Sequence, residues 1–230
     1  MTFKYETHCH TSTVSLCSRL QAKDIVELYI ANGYNGVFIT DHFLNCPSFV
    51  EYANEKNSYK EKIDIFCSGY EQVKDLAKNK LQVFFGLEYS YKGTDLLVYG
   101  WDKKRLIELE KIINMKMSEF VKFARENGAL VVQAHPFRQA HYIDHIRLFP
   151  ETEGVEIFNA CRTEKENELA KFYAQINGKI TTGGSDIHRK EQEILSGIEF
   201  DEKIENEKHF ISLMRSGKGK IIKIKNNLKF

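Results

Sequence analysis

The sequence holds no run of the roughly 20 consecutive apolar residues that crossing a bilayer requires, and so it predicts no transmembrane helix. It has no C-x-x-C pair. Its five cysteines, Cys9, Cys17, Cys46, Cys67 and Cys161, are odd in number and scattered along the chain. That argues against a disulfide framework and for a reducing compartment. The first ten residues are polar, unlike a secretory signal, so a cytoplasmic location is expected. Proline is scarce, with only Pro47, Pro136 and Pro150, and no low-complexity segment interrupts the chain before its tail. Neither sign of charge is in excess. With 33 Lys and Arg against 32 Asp and Glu, no global field draws the protein onto nucleic acid or a membrane. No G-x-S-x-G signature for a serine nucleophile occurs.

What the chain does contain is ordinary for a globular protein: 42% hydrophobic and 28% charged residues in 230. That length predicts one domain over residues 1–230. Short runs rich in Val, Ile and aromatics predict strands at 3–8, 36–40, 82–90, 95–100, 129–135, 154–159 and 179–184. Helical patterns lie between them at AKDIVELYIANG, at 103–128 and at 163–178, each closed by Gly. Alternation of this kind implies parallel strands joined by right-handed crossovers. Seven strands suit an open doubly wound sheet or a closed barrel, and the pattern alone does not choose.

Ligand-type residues fall at the ends of these strands. His8 and His10 close the first and Asp41 and His42 the second; Glu88 lies near the end of the third. His135 closes the fifth, Asn159 the sixth, and Asp186 and His188 follow the seventh. In parallel α/β folds the carboxyl ends of the strands share one face, where ligands bind. Each residue alone has an ordinary reading: a half-buried histidine, or an aspartate capping the next helix. Gathered on one rim and unpaired, they would be costly to bury, and a cluster of divalent cations accounts for them all.

The motifs THCHTS, FITDHF, GLEYS, AHPF and GGSDIH, in this order, resemble the PHP (polymerase and histidinol phosphatase) domain phosphoesterases over nearly the whole chain. The resemblance implies a distorted (β/α)7 TIM-like barrel with two or three divalent metal ions (Zn, Mn, Fe or Mg) at the carboxyl rim. It places His8, His10, Glu88 and Asp186 on a first metal, Glu88 and His135 on a second, and His42 and His188 on a third. Two positions depart from the family pattern. An Asp or His is expected five or six residues after the second His of H-x-H, where this chain has Ser15 and Leu16, followed by Cys17. Where a His often precedes the strand after the bridging Glu, this chain offers Asp95, which still suits a hard cation.

Two metals about 3.5–4 Å apart can share a hydroxide and hold attacking and leaving oxygens in line at phosphorus, so metal-bound hydroxide is the expected nucleophile. Phosphoryl transfer also needs cationic help. Arg138 is the first candidate for binding phosphate, with Arg162 and Arg189 behind it; His141 is a candidate general acid. His145 and His209 read as surface or structural residues, and Cys9, opposite the two histidines on its strand, as core. Thiolate suits Zn but not Mg or Mn, which makes Cys17 a candidate ligand. The lysine-rich tail 217–230 predicts an edge strand. The expected activity is hydrolysis of a small phosphorylated metabolite or nucleotide. The alternatives are a nuclease acting on short DNA or RNA ends and a non-catalytic metal-binding module. No obligate protein partner is implied.

Overall fold

The computed structural model describes residues 1–228; the last two residues of the expected tail strand lie outside them. All seven expected strands are present: β1 (Phe3–Cys9), β2 (Gly36–Ile39), β3 (Gln82–Tyr91), β4 (Thr94–Tyr99), β5 (Leu130–Ala134), β6 (Gly154–Asn159) and β7 (Ile180–Gly184). Two more follow among the described residues, β8 (Ile194–Phe200), which was not expected, and β9 (Lys220–Lys225), the edge strand expected in the tail, so the sheet has nine strands. Its order is β7-β6-β5-β4-β3-β2-β1-β8-β9. The helices are α1 (Ala22–Ala31), α2 (Tyr59–Ala77), α3 (Lys103–Ile107), α4 (Met117–Glu126), α5 (Glu164–Ile176) and α6 (Glu207–Arg215). Reciprocal capping fixes several starts: Ser58 and Glu61 at α2, Thr163 and Glu166 at α5. The stretch expected to be one helix over 103–128 is instead α3, a 3-10 turn (Glu110–Asn114) and α4.

Not all strands run parallel. β1, β2 and β3 are parallel, as are β5, β6 and β7, but β4 pairs antiparallel with both β3 and β5. The reason is local. Lys92 and Gly93 both have positive φ, 49° and 77°, which makes a tight hairpin turn between β3 and β4 and leaves no room for a crossover helix. Because β4 runs in reverse, its start lies at the rim where its neighbours end, and this puts Asp95 there.

The sheet curls until β7 meets β1. Main-chain pairing at this seam is sparse, and side chains do much of the joining. Thr7 Oγ1 donates to the Gly183 carbonyl at 2.8 Å and the Ser185 amide donates to Glu6 Oε1 at 2.9 Å, while the Ser196 amide of β8 donates to Ser185 Oγ at 2.8 Å beside the seam. The result is a nearly closed barrel. β8 runs antiparallel to β1 and β9 antiparallel to β8, so β9 is the last strand in the order, with Ile221, Ile222 and Ile224 half-buried and Lys220, Lys223 and Lys225 exposed.

The barrel interior is layered. Tyr5, Phe38, Phe84, Leu97, Tyr99, Leu130 and Val132 pack together under Phe210 of α6 and make an apolar floor. Above it stand the polar residues of the rim. β1 serves both layers because it carries a bulge: Glu6 pairs with Val37 but Cys9 with Ile39, one residue extra on β1. The bulge lets Tyr5 join the floor while His8 and His10 face the rim and Cys9 turns outward onto Leu28 and Tyr29 of α1.

Candidate metal centre

Glu88 stands at the centre of the rim. Its Oε1 lies 3.3 Å from His8 Nε2 and 3.3 Å from His135 Nε2; its Oε2 lies 3.4 Å from His10 Nε2 and 2.8 Å from His42 Nδ1. Asp186 Oδ1 is 3.5 Å from His8 Nε2, 3.4 Å from His10 Nε2 and 3.4 Å from His188 Nδ1. Asp95 Oδ2 lies 3.9 Å from His135 Nε2. All eight residues expected as ligands are thus brought together. Seven are buried, and His188 is partly open to the cavity above.

These contacts are close but are not hydrogen bonds in geometry. His8 Nε2, His10 Nε2, His42 Nδ1 and both oxygens of Glu88 are buried without a hydrogen-bond partner. Several orphaned polar atoms aimed at one another carry a large desolvation cost unless a cation lies between them. The donor set fits one. Four groups have ligand atoms within 4.8 Å of one another: His8, His10 and Glu88; His8, His135 and Asp186; Glu88, Asp95 and His135; and His10, His42 and His188.

A second layer of groups holds the ligands in place. Glu156, which sequence reading missed, accepts from His8 Nδ1 at 2.9 Å and from the His135 amide at 3.0 Å. A carboxylate on Nδ1 fixes the tautomer that leaves His8 Nε2 free to bind a metal. Asn159 donates to Glu156 at 2.8 Å and to Asp186 at 3.1 Å. Asp41, also on the rim, points away from the cluster and accepts from the Thr11 amide, Thr11 Oγ1 and Ser15 Oγ, each at 2.7 Å. Ser15, at the position where the family pattern places a ligand, is occupied by this bond and accepts from the His42 amide at 3.1 Å. Gly184 makes room beneath: a Cβ there would stand 2.5 Å from His8 Cβ and 2.8 Å from Glu156 Oε1. His135 and Asp186 have φ of 28° and 49°, a strained conformation for non-glycine residues that is enriched at functional sites.

Mutual electrostatics follow from the crowding. Burial works against ionisation throughout. Even so, Asp186, Glu156 and Glu88 hold the His8 pKa well above its ordinary value, and Glu88 does the same for His42. Burial opposes a charge on His188 too, yet Cys161, Cys17 and Asp186 bring it up to about 11. Glu88 and Asp186 are held well below the carboxylate range by the imidazoles around them, against the pull of burial. His10 goes the other way, down to about 3, through burial and the neighbouring His42. The Cys17 thiol is lowered to about 7; burial resists this, and the neighbouring imidazoles of His188 and His42 produce it.

A cavity of about 980 Å³ opens over the cluster. Arg138, Arg162 and Arg189 all line it, as do Lys92, Asn45 and Tyr142. Arg138 is already engaged: its Nη2 donates to Asp95 Oδ2 at 2.6 Å and to the Gly93 carbonyl at 2.7 Å. Arg162 Nε is buried without a partner. His141 is not among the lining residues; it lies exposed on the loop after β5 with its ring edge-on to Tyr142. His145 is exposed beside Asp144, and His209 lies 3.5 Å from Glu202, both away from the cluster. Cys17, Cys46 and Cys161, scattered in sequence, line the same cavity. The signal for Glu156 was available, since an acid inside the β-branched run GVEIFN is out of place in a buried strand unless it has a partner.

The chain matches no protein-family profile, and no curated protein matches it in sequence. Solved structures do match. One is a two-domain protein from Bacteroides vulgatus with a predicted PHP-like metal-dependent phosphoesterase: TM-score 0.67, 13% identity, covering 96% of this chain and 65% of that one. This chain therefore spans just under two thirds of that protein. A second is a proposed metal-dependent phosphoesterase from Bifidobacterium adolescentis: TM-score 0.55, 13% identity, covering 92% of this chain and 95% of that one. A third is an amidohydrolase from Chromobacterium violaceum with bound sulfate: TM-score 0.51, 12% identity, covering 80% and 87%. At such identities the likeness is one of fold, and the fold of this chain is that of the PHP-like metal-dependent phosphoesterase structures, as its motifs imply.

Proposed function

We propose that this chain is a metal-dependent phosphoesterase acting on a small phosphorylated metabolite or nucleotide. The observation that carries this reading is the set of buried, unpartnered ligand atoms on His8, His10, His42 and Glu88. His8, His10, Glu88 and Asp186 would hold a first cation, Glu88, Asp95 and His135 a second, and His42 and His188 with His10 a third. Cations held there lower the pKa of a coordinated water and neutralise charge on phosphoryl oxygens. The chain's own residues supply the rest. Glu156 and Asn159 keep His8, His135 and Asp186 oriented, and Arg138 holds Asp95 toward the cluster. Arg162, Lys92 and Arg189 give the cavity mouth the positive charge that a phosphate ester needs.

The test is a panel of phosphomonoesters, phosphodiesters and amides assayed across Zn, Mn, Fe and Mg, with bound metal quantified by mass spectrometry. Purified protein that retains no stoichiometric metal and hydrolyses no phosphomonoester sinks the proposal. The fold shared with an amidohydrolase supports a second reading, amide hydrolysis, which the amide arm of the panel tests. Cleavage of oligonucleotides that weakens steeply with salt would indicate the nuclease. With the correct substrate, His10→Ala and Asp186→Ala each cost at least about 10³-fold in turnover, the several kcal/mol that metal stabilisation supplies. Circular dichroism of both variants remains that of the parent.

A further inference from the structure

Glu6 is a wholly buried carboxylate that belongs to none of the candidate ligand groups among the described residues. Its Oε1 accepts from three main-chain amides, those of Thr7 at 2.9 Å, His8 at 2.8 Å and Ser185 at 2.9 Å. Its Oε2 accepts from the Tyr29 hydroxyl at 2.9 Å. A buried carboxylate is costly unless its lone pairs are met, and here both oxygens have donors. Two of these bonds answer to the bulge in β1. Register with β2 passes from Glu6–Val37 to Cys9–Ile39, so Thr7 and His8 together stand opposite the single residue Phe38. A bulge takes main-chain groups out of the ladder, and Glu6 accepts from both amides at this one.

The third amide lies across the seam of the barrel. Ser185 follows β7 and precedes Asp186, whose φ of 49° is a strained one. His8 and Asp186 face each other over this seam, with His8 Nε2 3.5 Å from Asp186 Oδ1. The main-chain bond next along, from the Ile187 amide to the His8 carbonyl, is long at 3.4 Å. One atom, Glu6 Oε1, therefore ties the backbone of His8 to the residue before Asp186. Glu156 and Asn159 orient the side chains of His8 and Asp186, whereas Glu6 acts on the main chain that carries them. Another part of the centre is built differently. Glu88, Asp95 and His135 come from β3, β4 and the residue after β5, strands joined by continuous ladders that include the pairs Ser90–Asp95 and Asp95–Ala134.

We propose that Glu6 is the positioning residue for the part of the centre that spans the seam. Its Oε1 sets the separation of His8 from Asp186, so the cation held by His8, His10, Glu88 and Asp186 depends on it. The cation held by Glu88, Asp95 and His135 does not. This deepens the reading of the chain as a metal-dependent hydrolase and rests on it. Ligands on strands of one ladder are held in register by the sheet itself, and ligands on strands that meet with little pairing need another tie. A carboxylate supplies it, because its bonds to amides are charge-assisted and one oxygen can accept from donors on both strands. Metal–ligand distances tolerate only about 0.2 Å, so a small slip at the seam is enough to lose the cation.

Chelator-stripped protein is dialysed to equilibrium against buffered free zinc, and bound metal is counted by mass spectrometry. Glu6→Met, which keeps the length of the side chain and removes both acceptors, holds one equivalent less than the wild type. Glu6→Gln, whose amide oxygen still accepts from the three amides, holds the full complement. Double variants separate positioning from a general loosening of the barrel. Glu6→Met added to Asp186→Ala loses no further metal, because both act on one cation, whereas Glu6→Met added to Asp95→Asn loses one equivalent more than Asp95→Asn alone. Should circular dichroism show Glu6→Met unfolded, Glu6→Asp carries the same comparisons, since a side chain one methylene shorter withdraws the oxygen from the Ser185 amide. A full complement in the folded Met or Asp variant, no recovery in Glu6→Gln, or a loss that adds to Asp186→Ala as it does to Asp95→Asn overturns the assignment of Glu6 and leaves the hydrolase reading standing. Absence of bound metal from the wild type overturns both.

Discussion

Glu156 does for His8 what the backbone cannot. Its Oε1 accepts from His8 Nδ1 and its Oε2 from the His135 amide, so one buried carboxylate orients two candidate ligands. Glu156→Gln preserves the volume and removes the charge. Metal affinity in that variant falls by about 10–100-fold, the usual cost of losing such a partner, and competition against a chromogenic chelator measures it. An unchanged dissociation constant would show that His8 needs no such support. Protons compete for the same atoms. In the metal-free protein His8 and His42 are held well above the ordinary histidine value, and His188 lies at about 11, so at pH 7 these rings carry protons that a cation must displace. The raised values stabilise the metal-free fold below the ordinary histidine pKa of about 6.5, and that contribution is lost as pH rises through the shifted values. Glu88 and Asp186 are shifted downward, so their contribution is present above the ordinary carboxylate range and is lost as pH falls through their own values. Metal binding at pH 7 therefore releases protons and tightens with rising pH. Calorimetry in buffers of different ionisation enthalpy reads this directly, and a binding enthalpy independent of buffer would contradict it.

Among the secondary-structure elements, β1 and β4 do the most to assemble the site, each through an irregularity. The bulge in β1 reverses which face its side chains present halfway along the strand. The Lys92–Gly93 turn reverses β4 and so delivers Asp95 to the rim. β7 contributes by what it lacks, since Gly184 leaves the space in which His8 and Glu156 meet. Gly184→Ala places a methyl group into contact with His8 Cβ, an overpacking that costs about 1–3 kcal/mol in stability. Because the displaced group is a ligand, metal content falls in the folded variant too. Urea unfolding and metal analysis of the same preparation measure both effects, and a variant with full metal content would show that the barrel absorbs the strain elsewhere.

For the molecule as a whole, the cluster is a concentration of like and unlike charge in a buried space, and a cation that binds only the folded state stabilises it by mass action. At free metal about 100 times the dissociation constant the gain is about 2.7 kcal/mol. In a domain of this size that corresponds to a rise in Tm of about 5–10 °C. Thermal unfolding with and without a chelator reports it, and coincident transitions would mean that metal contributes nothing to the fold. No helix among the described residues is long and apolar enough to cross a membrane.

The residues of the candidate centre were legible in the sequence because strand periodicity is local. Short β-branched runs announce the strands, and a parallel arrangement sends their carboxyl ends to one face, so His8, His10, His42, Glu88, His135, Asp186 and His188 could be grouped before any contact was known. What only the tertiary structure decided depends on groups far apart in the chain. The addition of β8 beside β1 and the break of the 103–128 helix answer to long-range packing that no local propensity encodes. Glu156 shows its role only when β6 lies within hydrogen-bonding distance of β1. The three cysteines over His42 and His188 are separated by up to 144 residues and share one cavity only because the barrel closes. Local sequence determines which face a side chain takes; the closing of the sheet determines what it meets there.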